Sequence, residues 1–162
     1  MKSLIQKHII AALVDNKPGV VSRISGLFTR RGYNIESFVT CKTLSPEIYH
    51  LTISVISTKD ELDLLIHQLG RIMEVISLFS ADERETVARE LMLLKISAAS
   101  EQRSDIINMA NVMGIRVAAV ADTCVILEAS GDEQKLDGII KAFEPFGIND
   151  LIRSGTIAMN IT

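Results

Sequence analysis

The apolar residues of this chain write one order of strand and helix periodicity twice, and that duplication limits the possible folds more than any other feature. Residues 8–14 form an apolar run of strand length, followed by a helical pattern over 18–31. Val20, Val21, Ile24, Leu27 and Phe28 share its inward face, and Gly32 provides a C-terminal stop. Two strand patterns follow, 33–42 and 48–56, separated by a Ser-Pro turn signal at 45–46. Thr58 and Glu61 have capping-box spacing and open a helix with Leu62, Leu65, Ile66, Leu69 and Ile72 on one face. A strand over 75–79 completes the order βαββαβ.

Residues 82–90 are dominated by charge and read as a linker. The same order then returns: a strand over 91–97, a helix over 100–113, a hairpin from 115–121 and 124–129, a second helix, and apolar stretches at 148–152 and 156–160. Ser130 and Glu133 read as a capping box for that last helix, whose inner face carries Leu136, Ile139, Ile140 and Phe143. Two βαββαβ units of about 80 residues each are the split-βαβ arrangement. The expected fold is therefore α+β, two ferredoxin-like domains at 1–81 and 91–162 joined by the linker. Open sheets of this kind leave edge strands that invite pairing between subunits, so a homodimer is expected.

The 162 residues are 48% apolar, enough for two aliphatic cores, but only 4% aromatic with no Trp. A net charge of −3 argues against a nucleic-acid partner, which needs a basic face. Strands poor in aromatics argue against a single-stranded RNA platform. No apolar run reaches the roughly 18 residues of a membrane span, and residues 1–8 show no secretory signal, so a cytoplasmic chain is expected. Cys41 and Cys124 stand in apolar strand patterns and read as free thiols. His8, His50 and His67 have no metal-ligand spacing, and they form no defensible triad with a serine and an acid.

The residues that point to chemistry are those of the first strand-to-helix turn, Asp15-Asn16-Lys17-Pro18-Gly19-Val20-Val21. Pro18 suits a first helical turn, and Gly19 permits close backbone approach. Unpaired N–H groups and the positive end of the helix dipole make such a turn a place for a small carboxylate or phosphate. Asn16 adds an amide that both donates and accepts. The same residues also make a good structural turn, since Asn caps and Gly bends. The corresponding turn of the second half, Ala98-Ala99-Ser100-Glu101, has neither Asn nor Gly and carries an acid at the helix start. Only the first half holds a candidate ligand loop.

These residues also carry a resemblance. The run from Ala11 to Arg23 resembles the opening of an ACT domain, the amino-acid-sensing version of this fold. Gly26-Leu27-Phe28-Thr29-Arg30-Arg31-Gly32-Tyr33-Asn34-Ile35-Glu36-Ser37, Arg89-Glu90-Leu91-Met92-Leu93 and Arg153-Ser154-Gly155 resemble the regulatory small subunit of acetolactate synthase. The resemblance implies a non-catalytic chain that binds the catalytic large subunit, raises its activity and confers feedback inhibition by valine or a related branched-chain amino acid. It implies that thiamine diphosphate, Mg and FAD belong to that partner, with no cofactor or metal in this chain. It implies an effector site between two paired ACT domains. Gly19, Val20 and Val21 would meet the carboxylate, Asn16 the polar end, and Asn34 and Ile35 of the second chain would close the site.

Two other classes fit the fold. A free-standing ACT-type amino-acid sensor or transcriptional regulator is the main alternative, but a regulator needs a DNA-binding element and the sequence has no basic stripe for one. An acylphosphatase-like hydrolase wants an arginine in the first turn, where Lys17 is the only cation.

Overall fold

A computed structural model of the chain describes residues 4–81 and 85–161. The chain divides into two compact units, Met1–Ala88 with Thr156–Thr162, and Arg89–Gly155.

The first unit runs β1 Gln6–Asp15, α1 Val20–Arg31, β2 Ile35–Lys42, β3 Ile48–Ser57, α2 Lys59–Leu69 and β4 Val75–Ser80. Its sheet has the order β2-β3-β1-β4, with antiparallel neighbours throughout. Two βαβ crossovers thus interleave, which makes β1 and β3 the central strands and leaves β2 and β4 at the edges. The period-2 pattern of β1 and β3 sends Ile10, Ala12, Val14, Leu51, Ile53 and Val55 into one core with Val20, Ile24 and Phe28 of α1 and Leu62, Leu65 and Leu69 of α2.

The capping box forms as the sequence predicts. Thr58 N–H donates to Glu61 Oε2 at 2.7 Å, and Glu61 N–H donates to Thr58 Oγ1 at 3.4 Å. Donation to the carboxylate from the Thr58 backbone N–H, and next from the Thr58 hydroxyl at 3.0 Å, holds the Glu61 carboxyl below its ordinary pKa. Thr58→Ala removes an acceptor for a free helical N–H and should cost about 1 kcal/mol of stability. Urea unfolding of the two proteins side by side measures that difference.

The helix over 18–31 differs from the sequence expectation at its start. Gly19 is its N-cap in the left-handed region, φ 87°, so Pro18 lies outside and the first helical residue is Val20. That start directs Val20, Ile24 and Phe28 inward and leaves Val21 on the exposed side.

The second unit contains most of β5 (Thr86–Ser97), then α3 Ser100–Val112, β6 Arg116–Val120, β7 Cys124–Gly131, α4 Glu133–Phe143, a 3₁₀ turn Glu144–Phe146 and β8 Ile148–Arg153. The sheet order β6-β7-β5-β8 repeats that of the first unit. Met92, Leu94 and Ile96 pack with Ile106, Leu127, Leu136 and Phe143 in a separate core.

Three expectations differ here. Of the segment 82–90 expected as a linker, residues 82–84 lie outside the described residues and β5 has begun by Thr86. The Ser130–Glu133 capping box does not form. β7 continues through Ser130 and Gly131, paired with Leu91 and Glu90, and Asp132 caps α4 through its Oδ1, which accepts from Lys135 N–H at 2.8 Å. The final strand, β9 Ile157–Asn160, pairs with β5 and groups with the first unit rather than the second. Gly155, at φ 81°, turns the chain out of β8. Beyond it, Ala158 N–H donates to Thr52 Oγ1 at 3.4 Å and Ile161 N–H to Glu85 O at 2.8 Å.

Candidate functional site

The turn between β1 and α1 is pinned from two sides. Asp15 N–H donates to Glu74 O at 2.9 Å, below β4. Asn16 N–H donates to Glu47 O at 2.7 Å, and its Nδ2 donates to Pro46 O at 3.0 Å, both in the β2–β3 loop. The Asn16 side chain is therefore half committed to the fold, and its Oδ1 remains as an acceptor. Lys17 folds back on its own strand, with Nζ 2.6 Å from Asp15 Oδ2. The Asp15 hydrogen bond and charge raise the Lys17 pKa.

The start of α1 has the electrostatics of an anion site. No acid occupies its first turn. Val20 N–H reaches Lys17 O at a long 3.4 Å, and the N–H groups of Gly19 and Val21 meet no acceptor among the described residues. The helix dipole adds positive potential at the same point. Arg23, one turn along, adds a cation: its Nη1 pairs with Glu74 Oε1, and its Nη2 lies 3.8 Å from where a Cβ on Gly19 would stand. In the second unit Glu101 sits in the first turn of α3, so the equivalent helix start repels an anion.

Of the six residues read from the sequence, the structure brings four together and separates two. Asn16, Gly19, Val20 and Val21 form the turn and the helix start. Asn34 and Ile35 stand at the opposite end of the sheet: Ile35 is opposite Val55, which pairs with His8 near the start of β1, whereas Asp15 pairs with Ile48. The two positions are seven residues apart along the strand, roughly 23 Å. Ile35 packs on the edge of the core, and Asn34 is exposed.

Sequence reasoning missed Arg23 and Glu74. Glu74 is an isolated acid between Met73 and Val75, and 51 positions separate it from Arg23, so no local periodicity links the two. Among the described residues no group of three His, Cys, Asp or Glu is arranged to hold a metal. Burial pushes the His50 imidazole below its ordinary pKa, so it is neutral near pH 7.

The family model for the AHAS small subunit-like ACT domain matches residues 10–77, which contain the turn, Asn34, Ile35, Arg23 and Glu74. The model described as the small subunit of acetolactate synthase matches residues 89–161. A probable acetolactate synthase small subunit from Methanothermobacter thermautotrophicus is 38% identical over 154 residues, covering 94% of this chain and 92% of that protein. The chain belongs to the acetolactate synthase small-subunit family. The acetolactate synthase small subunit of Mycobacterium bovis is 34% identical over 153 residues, 94% of this chain and 91% of that protein. The crystal structure of the acetolactate synthase small subunit from Thermotoga maritima superposes with a TM-score of 0.86 at 27% identity, over 96% of this chain and 98% of that one. Family membership thus extends through both units of this small-subunit chain.

Proposed function

We propose that this chain is the regulatory subunit of an acetolactate synthase. It binds the catalytic large subunit, raises its activity and makes it sensitive to feedback inhibition by valine or a related branched-chain amino acid. The chain itself performs no chemical step. Thiamine diphosphate, Mg and FAD serve the large subunit.

The observation that carries this reading is the start of α1, where free N–H groups, the helix dipole and Arg23 converge and no acid stands in the first helical turn. A carboxylate there gains about 0.3–2 kcal/mol from the dipole alone. The separation of Asn34 and Ile35 from the turn supports a site made by two chains. β2 is an edge strand, and its far end, Lys42 opposite Tyr49, lies at the turn's end of the sheet. Antiparallel pairing of two β2 edges carries the start of one β2 to the end of the other, and hence towards the other chain's turn. A ligand that fits only the paired arrangement biases that pairing, and the bound large subunit feels the bias. Couplings of this kind are about 1–3 kcal/mol, or roughly 5- to 150-fold.

Calorimetric titration of the full chain with valine, leucine and isoleucine is the first test, followed by activity measurements with the large subunit added. Saturable binding of at least one, activation of the large subunit, and inhibition on adding the same amino acid are expected. The Asn16→Ala, Asn34→Ala double variant should bind that amino acid about tenfold more weakly or worse, because a hydrogen bond to a charged group is worth about 1.5–3 kcal/mol. Binding without any effect on the large subunit would instead identify a free-standing sensor.

A further inference from the structure

Glu74 holds a buried charged group at this turn that the carboxylate-binding reading leaves unused. It is 9% exposed, and it sits directly beneath the turn, its backbone carbonyl accepting the Asp15 N–H. Its two carboxylate oxygens have different surroundings. Oε1 accepts from Arg23 Nη1. Oε2 is buried and meets no donor among the described residues. A buried carboxylate oxygen without a donor is costly, and such an orphan in a folded protein calls for an explanation. Arg23 draws this carboxylate towards the helix start, since its other terminal nitrogen lies 3.8 Å from the Cβ position of Gly19.

The turn and the residue bonded to it therefore present two unmet demands, linked through Arg23. The N–H groups of Gly19 and Val21 want an anionic acceptor, and Glu74 Oε2 wants a cationic donor. A phosphate or a simple carboxylate answers only the first demand. An α-amino acid answers both, because its ammonium and carboxylate are two bonds apart on one carbon. We propose that Glu74 is the ammonium-reading residue of the effector site, and that it makes the site select an amino acid over the 2-oxo acid of the same carbon skeleton. Arg23 is then a positioning residue: it fixes one oxygen of Glu74 so that the other faces the ligand, assisted by Asn16 Oδ1. The inference rests on the effector reading above and names what within that site distinguishes the ligand from its closest chemical relatives. An enzyme subunit in branched-chain metabolism needs that distinction, because an oxo acid shares the carboxylate and the whole side chain of its amino acid.

The test is calorimetric titration of the full chain, wild type and Glu74→Gln, with the tightest-binding of the three amino acids and with its 2-oxo acid. Gln keeps the shape and an acceptor for Arg23 but offers the ammonium no charge. The wild type should prefer the amino acid by about a hundredfold or more, since a site built to pair a polar group rejects the analogue that lacks it. Glu74→Gln should bind the amino acid at least about tenfold more weakly and the oxo acid within roughly threefold of wild type, so that the preference collapses. Unchanged amino-acid affinity in Glu74→Gln, or equal losses for both ligands, would overturn the assignment. Wild-type protein alone also decides against it if the two ligands bind equally well, whether or not the variant folds. Absence of wild-type binding to all three amino acids, with the large subunit present as well, would overturn the effector reading and this inference together. Intact wild-type binding with an indifferent Glu74→Gln would overturn this inference alone.

Discussion

Arg153→Met is expected to destabilise the second unit by about 3 kcal/mol, at the lower end of what breaking a buried ion pair costs. Arg153 ends β8, and its guanidinium joins three elements: Nε donates to Glu90 Oε2 of β5 at 2.7 Å, and Nη1 donates to Asp137 Oδ1 of α4 at 2.9 Å. The Glu90 side chain is only 5% exposed, so water does little to solvate its charge and the Arg153 guanidinium offsets much of that cost. Asp137 is 52% exposed, and its share of the pair is screened to little. The cost of the substitution is therefore the cost of a carboxylate kept in the interior without its guanidinium. The double variant Arg153→Met, Glu90→Met should recover most of the loss, because a well-packed apolar pair replaces a desolvated ionic one. Urea unfolding of the three proteins separates these outcomes. A single variant within about 0.5 kcal/mol of wild type would mean that Glu90 does not depend on Arg153.

That ion pair also shows where sequence reading reached its limit. The β/α order of both units was legible because each element repeats its apolar residues at its own period over several turns or alternations, and the cores of Phe28 and of Phe143 follow from those faces. Glu90, by contrast, stands in a run of charges that reads as solvated. Its buried carboxylate pairs with Arg153, 63 positions further along the chain. The run at 82–90 therefore misread as a linker from Thr86 onward, where β5 has already begun. The α4 cap failed for a related reason. Ser130 and Asp132 both suit an N-cap, and only the pairing of β7 with β5 determines that the strand ends at Gly131. The place of β9 depends on where the chain goes after Gly155, which no periodicity records.

The candidate site divides in the same way. Pro18-Gly19 after an apolar strand marks the turn by local chemistry alone, and the structure places Gly19 at the helix start in a left-handed conformation. Val21 has an N–H that meets no acceptor among the described residues, and its side chain faces outward rather than into the core. Asn34 and Ile35 came only from the family resemblance. Nothing in their spacing links them to Asn16, and within one chain they lie at the far end of the sheet. Arg23 and Glu74 could have been suspected from one signal, a single acid set between apolar residues where β4 begins.

Gly19→Val is expected to weaken effector binding by about a hundredfold or more and to remove feedback inhibition, while activation of the large subunit persists. At φ 87° and ψ −9° a β-branched residue is a true outlier, and the left-handed region costs an L-residue about 1–2 kcal/mol. Space is not the difficulty, since the nearest atom to an added Cβ is Arg23 Nη2 at 3.8 Å, ordinary contact. The chain relieves the strain by rotating the backbone at residue 19, and that rotation turns the N–H groups of residues 19 and 21, which meet no acceptor among the described residues, away from the carboxylate. Each charge-assisted hydrogen bond lost is worth about 1.5–3 kcal/mol, so two of them account for the hundredfold. Gly26→Ala is the control: it lies in the same helix with ordinary helical geometry and only Arg30 Nη1 at 3.8 Å, so it should gain roughly 0.4–1 kcal/mol of stability and leave effector binding unchanged. Loss of stability without loss of binding in Gly19→Val would separate the turn from the ligand and move the carboxylate site away from the start of α1. Loss of binding at nearly unchanged stability would tie the left-handed residue to the effector, because only the direction of its N–H groups would then have changed.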